Sequence, residues 1–254
     1  MSRLLVSTFI RMLKKVIFWF FVLCMFAYGV YSALNIASEA RIGFVLDGCL
    51  FECLPLMGLI SAIFTSLFIG SEYSDGTIRN KIIVGHSRIR IYLANLIVCA
   101  IASVLISLSY TVGVFVIGNM NGGELITETA TIFLCMISSL MISVTFASIM
   151  TLLAILNTNK AGNVVVSMIL ALVLLVSGSF IHQKLGEPKL YDNYVTVNEM
   201  GIPTQVEQLP NPQYIEGTPR IVLEVLSDLL PSGQAIQLAD AFDTEGMTDE
   251  SIAN

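Results

Sequence analysis

The sequence predicts an all-α integral membrane protein, a polytopic helical bundle with five visible transmembrane helices and an extracytoplasmic helical hairpin. Three observations lead there. The 254 residues are 55% hydrophobic and only 13% charged, about half the charged share of an average soluble domain. Five stretches of the chain run for roughly 18 residues or more without Asp, Glu, Lys or Arg, long enough to cross a hydrocarbon core about 30 Å thick. The charges collect between those stretches and in the last quarter of the chain. In lipid a backbone must satisfy its own polar groups, so each uncharged run is read as a helix.

Residues 1–15 form a basic interfacial helix. Arg3, Ser7, Arg11 and Lys14 share one face and Leu4, Leu5, Thr8 and Met12 lie near another, a pattern that sets apolar groups in the headgroup boundary and cations towards phosphate. The transmembrane bundle covers 16–181. Its first span, about 16–38, carries Phe18, Trp19, Tyr28 and Tyr31 as rim aromatics. The second, about 49–69, holds Glu52 one turn inside and Pro55 as an expected kink. Cys49, Glu52 and Cys53 share a helix face there, but three ligands from one turn with no histidine near do not make a zinc site, so Glu52 reads as a rim carboxylate and no metal is expected. The third and fourth spans, about 91–118 and 129–156, carry small polar residues at every fourth position: Ser103, Ser107 and Thr111 on one, and Ser139, Ser143, Ala147 and Thr151 on the other. Such stripes let helices approach closely in lipid or line a translocation path. The fifth span is about 163–181. Residues 182–254 are polar and acidic, with short amphipathic helices at about 219–230 and 233–242 whose apolar faces are expected on the bundle or in the outer leaflet.

The charges orient the chain. Arg3, Arg11, Lys14, Lys15, Arg79, Lys81, Arg88, Arg90 and Lys160 flank alternate ends of the spans and make up nine of the 13 lysines and arginines. Short cation-rich flanks stay in the cytoplasm. The N-terminus, segment 71–90 and Lys160 are therefore expected in the cytoplasm and residues 182–254 outside it, in a multi-pass protein of the plasma membrane.

The segment between the second and third spans reads GSEYSDGTIRNKIIVGHSRIR. Asp75-Gly76 is a turn pair, Thr77 is a candidate cap for a short helix through Ile78, Ile82 and Ile83, Gly85 is its stop, and Ser87 is a candidate cap for the next span. Glu72, Gly76, Thr77 and Arg79, followed by the Ser87-Arg88 pair, resemble the acid–x–x–x–Gly–Thr–x–Arg and Ser-Arg pattern that joins the second and third helices in permease subunits of the type-2 ABC (ATP-binding cassette) transporter family. The resemblance extends to the basic N-terminal helix, to the spacing of the fourth and fifth spans and to Leu230–Ala239. It implies that Glu72, Tyr73, Ser74, Asp75, Gly76, Thr77, Ile78, Arg79, Asn80 and Lys81 form a coupling helix against a separate cytoplasmic ATPase. It further implies a second permease copy or paralogue, an exporter, and ATP and Mg held by the ATPase alone. No phosphate-cradling G-x-x-x-x-G-K-[ST] occurs in the sequence, so no cofactor is expected in this chain.

Catalytic signatures such as H-E-x-x-H and G-x-S-x-G are absent from the sequence, and His86 and His182 are the only histidines. No enzyme activity and no nucleic-acid partner are expected. The spans hold few ionisable residues, which favours an amphipathic, peptide-like or lipid-like cargo over an ion, as in resistance of a bacterium to an antimicrobial peptide. The alternative is a non-transporting immunity or sensor protein that binds a peptide through residues 182–254. Family members have six spans. A sixth, with a basic tail, is therefore expected beyond Asn254.

Overall fold

The computed structural model describes residues 2–39, 45–157, 159–190, 195–197, 203–205 and 210–242. It is helical. α1 spans Ser2–Lys14, α2 Val16–Glu39, α3 Leu54–Ser74, α4 Thr77–Ile83, α5 Arg88–Met120, α6 Thr129–Leu156, α7 Lys160–Gly186, α8 Thr218–Leu229 and α9 Pro231–Asp240. A 3-10 turn, Asp47–Cys49, precedes α3. Val195–Val197 and Pro203–Gln205 pair as a three-residue antiparallel ribbon. Five segments, Val16–Ser38, Asp47–Ser74, Arg88–Met120, Thr129–Leu156 and Lys160–Gly186, are long and apolar enough to cross a membrane.

α3 is the most enclosed of the five. It packs between α6 and α7, so those two consecutive helices touch each other little. α2 runs along α5, and α5 in turn packs on α6. Two glycines bring α2 and α5 together. A Cβ on Gly29 would stand 2.3 Å from the Tyr110 carbonyl oxygen, and one on Gly113 would stand 2.5 Å from that of Phe26. Only hydrogen fits at either place. The interior is built from Phe64, Phe68, Phe146, Met57 and Tyr110, with Phe64 and Phe68 stacked at 5.8 Å between ring centres.

Several local expectations give way to the structure. Pro55 opens α3 rather than kinking it, because the first helical turn needs no N–H from that residue. Glu52 accordingly lies before the helix and not inside it. Thr77 does not cap α4. Gly76 holds that position with φ +68°, and the Thr77 hydroxyl donates to the Glu72 carbonyl at 2.9 Å. Ser87 occupies the N-cap of α5 without a side-chain cap bond. Gly85, at φ +94°, ends α4 as expected. Of the two short helices, α9 buries Pro231, Ser232, Gly233 and Ala235 against the bundle, while the apolar side of α8, including Ile221, Val225 and Leu229, is exposed.

Candidate functional site

The α3–α4–α5 connection lies at the same end of the bundle as α1 and the α6–α7 turn. Its centre is Glu72. In the last turn of α3, this carboxylate is only 1% exposed, a position a charge tolerates only when paired and hydrogen-bonded. Three side chains from three other helices converge on it. Lys81 of α4 donates to both carboxylate oxygens, at 2.9 and 3.0 Å. Arg11 of α1 approaches Oε1 at 3.1 Å. Asn95 of α5 donates to Oε2 at 3.1 Å. Thr77 completes the cluster, accepting from Arg11 at 3.2 Å. Lys81 also donates to Thr8 of α1 at 3.3 Å, and Lys15 stands 3.6 Å from Asp75. Arg11 therefore turns inward to a carboxylate rather than out to phosphate, as its place on the basic face of α1 suggests.

The other residues of the segment divide between anchoring and exposure. The Tyr73 hydroxyl donates to the Ile155 carbonyl at 2.9 Å, tying the end of α3 to the end of α6. Ile78 and Ile82 line a groove of about 380 Å³ together with Tyr73, Ile91, Tyr92 and Ile155. Ser74, Asp75, Arg79 and Asn80 are exposed and Gly76 is half-buried. Beyond them Ile83 is 72% and Val84 76% exposed, an apolar edge at the tip of α4. Glu72 and Lys81 are thus internal anchors, whereas Arg79, Asn80, Ile83 and Val84 are the residues a partner can reach. Lys160 lies over α3 at the same end; a Cβ on Gly70 would come within 2.8 Å of its side chain.

The small-residue stripes lie between helices. Ser103, Ser107, Ser139, Ser143, Ala147 and Thr151 are buried, and Thr111 is half-buried. The Ser61 and Ser103 hydroxyls are 3.2 Å apart. Ser103 donates to the Ser143 carbonyl at 3.0 Å, joining α5 to α6.

The far end is fastened differently. Asp47, 4% exposed, accepts from the backbone N–H groups of Ile126 at 3.2 Å and Thr127 at 2.7 Å, so the loop before α3 holds the loop before α6. Ser32 donates to Glu52 at 2.5 Å. The Tyr110 hydroxyl donates to the Cys49 carbonyl at 2.5 Å. Phe242, just past α9, packs on Phe51 at 4.9 Å between ring centres. Outside the helices Lys189 and Glu216 pair at 2.9 Å. That hydrogen bond holds the Lys189 ammonium above its ordinary value and the Glu216 carboxyl below its own.

Sequence reasoning found the segment but not its joint to α1 and α5. One signal was present: Asn95 is the only asparagine in the uncharged run from Ile91 to Gly118, and a lone amide that deep in a span needs a partner.

Comparison with known proteins bears on the same region. No curated protein matches the chain, and no solved structure does. A family model described as ABC-2 family transporter protein matches residues 5–178. The match runs from α1 through most of α7 and includes the whole Glu72 cluster. It spans well over half of the sequence, and the five apolar helices have the lengths a membrane-spanning subunit requires. On this match, the chain belongs to the ABC-2 family of transporter permeases.

Proposed function

We propose that this chain is the permease subunit of an ATP-driven exporter, and that α4 couples a separate ATPase to the bundle. The carrying observation is the Glu72 cluster. It locks α4 to α1, α3 and α5 through one buried carboxylate, so a push on α4 cannot be absorbed locally. A lever of this kind is what an ATPase lying outside the membrane needs. The exposed edge of Arg79, Asn80, Ile83 and Val84 is the surface offered to that ATPase. The N-terminus and α4 face the cytoplasm on the charge argument, residues 182–254 lie outside, and a second permease copy or paralogue completes the path. The cargo is amphipathic, peptide-like or lipid-like, consistent with spans that carry few ionisable groups.

Co-expression with a candidate ATP-binding cassette ATPase from the same genome tests the reading. The ATPase is expected to co-purify with the wild-type chain and to be lost with Ile83→Asp/Val84→Asp, a pair of exposed residues whose change leaves the fold intact. Gly76→Pro is expected to retain insertion but to uncouple hydrolysis from transport, because proline cannot adopt φ +68°. Normal transport by that variant would overturn the coupling role. Impermeant labelling of single cysteines in whole cells is expected at position 122 and not at 80 or 160; the reverse pattern would overturn the orientation.

A further inference from the structure

We infer that the groove between α1 and α4 is a binding site for the headgroup of an anionic phospholipid. The groove holds about 400 Å³ and is lined by Arg3, Ser7 and Arg11 of α1, by Asn80 and Lys81 of α4, and by His86 beyond it. Its charge is unbalanced. Arg11 and Lys81 share the single carboxylate of Glu72, Arg3 has no carboxylate partner among the described residues, and no acidic residue lines the groove. Neighbouring Lys15 and Asp75 already neutralise each other. Two positive charges thus remain beside an open, shallow groove, and a phosphodiester supplies both the negative charge and the acceptor oxygens that arginine, serine and asparagine donors can meet.

The lining also selects the source of that phosphate. Leu4 and Val84 make part of the wall apolar, which a free phosphate has no use for. α1 presents three faces. Leu4, Thr8 and Met12 are buried on the bundle. Val6 and Ile10 are exposed on a second, apolar side. Arg3 and Ser7 border the groove. This arrangement suits an amphipathic helix at a bilayer surface, with acyl chains against one side and headgroups at the next. A lipid whose phosphate sits in the groove lays its chains along Val6 and Ile10. The inference requires α1 to lie along the membrane surface but does not depend on the ATPase or on which leaflet this is.

The test uses the purified, delipidated full chain and native mass spectrometry, with phosphatidylglycerol and phosphatidylcholine of identical chains added in equal amounts and no ATPase present. Wild type is expected to retain phosphatidylglycerol at least tenfold over phosphatidylcholine. The double variant Arg3→Gln/His86→Gln, which leaves the Glu72 cluster untouched, is expected to bring the two lipids within twofold while its circular dichroism melt is unchanged. Arg3→Lys is expected to keep most of the preference and controls for a purely structural effect of position 3. Equal retention by wild type, or a preference that survives the double variant, overturns the site. Displacement of the lipid by millimolar inorganic phosphate overturns the assignment to lipid, since it shows an anion site indifferent to the acyl chains.

Discussion

Exchanging Glu72 for glutamine preserves its shape and removes its charge. Two cations then face an amide. Removing one side of a buried ion pair costs about 3–5 kcal/mol. Arg11, 30% exposed, can relax into water and brings the cost towards the lower limit, but Lys81, 11% exposed, cannot. We therefore expect Glu72→Gln to destabilise by about 3 kcal/mol. Lys81→Met is milder. It leaves the carboxylate with Arg11 and Asn95 and keeps the methylenes that cover it, so the expected loss is about 1–2 kcal/mol. The double variant strands no buried ammonium and is expected to lie near 2 kcal/mol, well short of additive, which is the sign of direct coupling. Reversible unfolding of the purified chain in mixed micelles, titrated with dodecyl sulfate and followed by circular dichroism, measures all three. If the single losses add to within about 0.5 kcal/mol, the cluster is not coupled and the lever argument fails with it.

Three other perturbations probe the frame. Gly29→Ala sets a methyl group 2.3 Å from a backbone oxygen and is expected to cost about 1–3 kcal/mol by forcing α2 off α5; Gly122→Ala, at φ +68° in open space, is the control, with about 1 kcal/mol expected from backbone strain alone, and melting midpoints compare the two. Asp47→Ala strands the Ile126 and Thr127 N–H groups, at about 1–3 kcal/mol for the loss of a buried partner, and faster hydrogen exchange at those two amides is the expected readout. The Lys189–Glu216 pair works between pH 4.5 and 10.5, the ordinary values of its members. Glu216, held lower in the fold, contributes above 4.5 and loses that contribution as pH falls through its lowered value. Lys189, held higher, contributes below 10.5 and loses it as pH rises through its raised value. Carboxyl NMR is expected to show Glu216 titrating below its ordinary range and returning to it in Lys189→Met.

The five long helices were legible because lipid imposes a length and forbids charge, and both are visible in a string of residues. Their ends were less so. α7 extends beyond the expected 163–181 at both ends, starting at Lys160 and finishing at Gly186. The stem of Lys160 packs over Gly70, a contact no hydropathy reading can supply. Pro55 and Thr77 were misread for one reason. Each has two common uses, proline as kink or helix start and threonine as cap or back-bonder, and tertiary neighbours chose between them. The connection from α3 to α5 was legible as a basic island between apolar runs. Its joint was not, because Arg11 meets Thr77 across 66 residues of sequence and nothing local on α1 distinguishes Arg11 from Arg3, which stays outside the cluster.

The way the hydroxyl-lined contact of α5 with α3 and α6 divides the bundle has a mechanical consequence. On one side, α1 and α2 ride on α5. On the other, α6 and α7 flank α3. Interlocked aliphatic side chains resist sliding, since every knob must leave its hole. Ser61, Ser103 and the Ser143 carbonyl meet across this plane through small groups, and a hydroxyl released from one carbonyl finds the next a turn along the helix. The middle of the bundle is therefore joined by exchangeable hydrogen bonds, and the contact is closed at one end by the Tyr110 hydroxyl on the Cys49 carbonyl and at the other by Asn95 on Glu72.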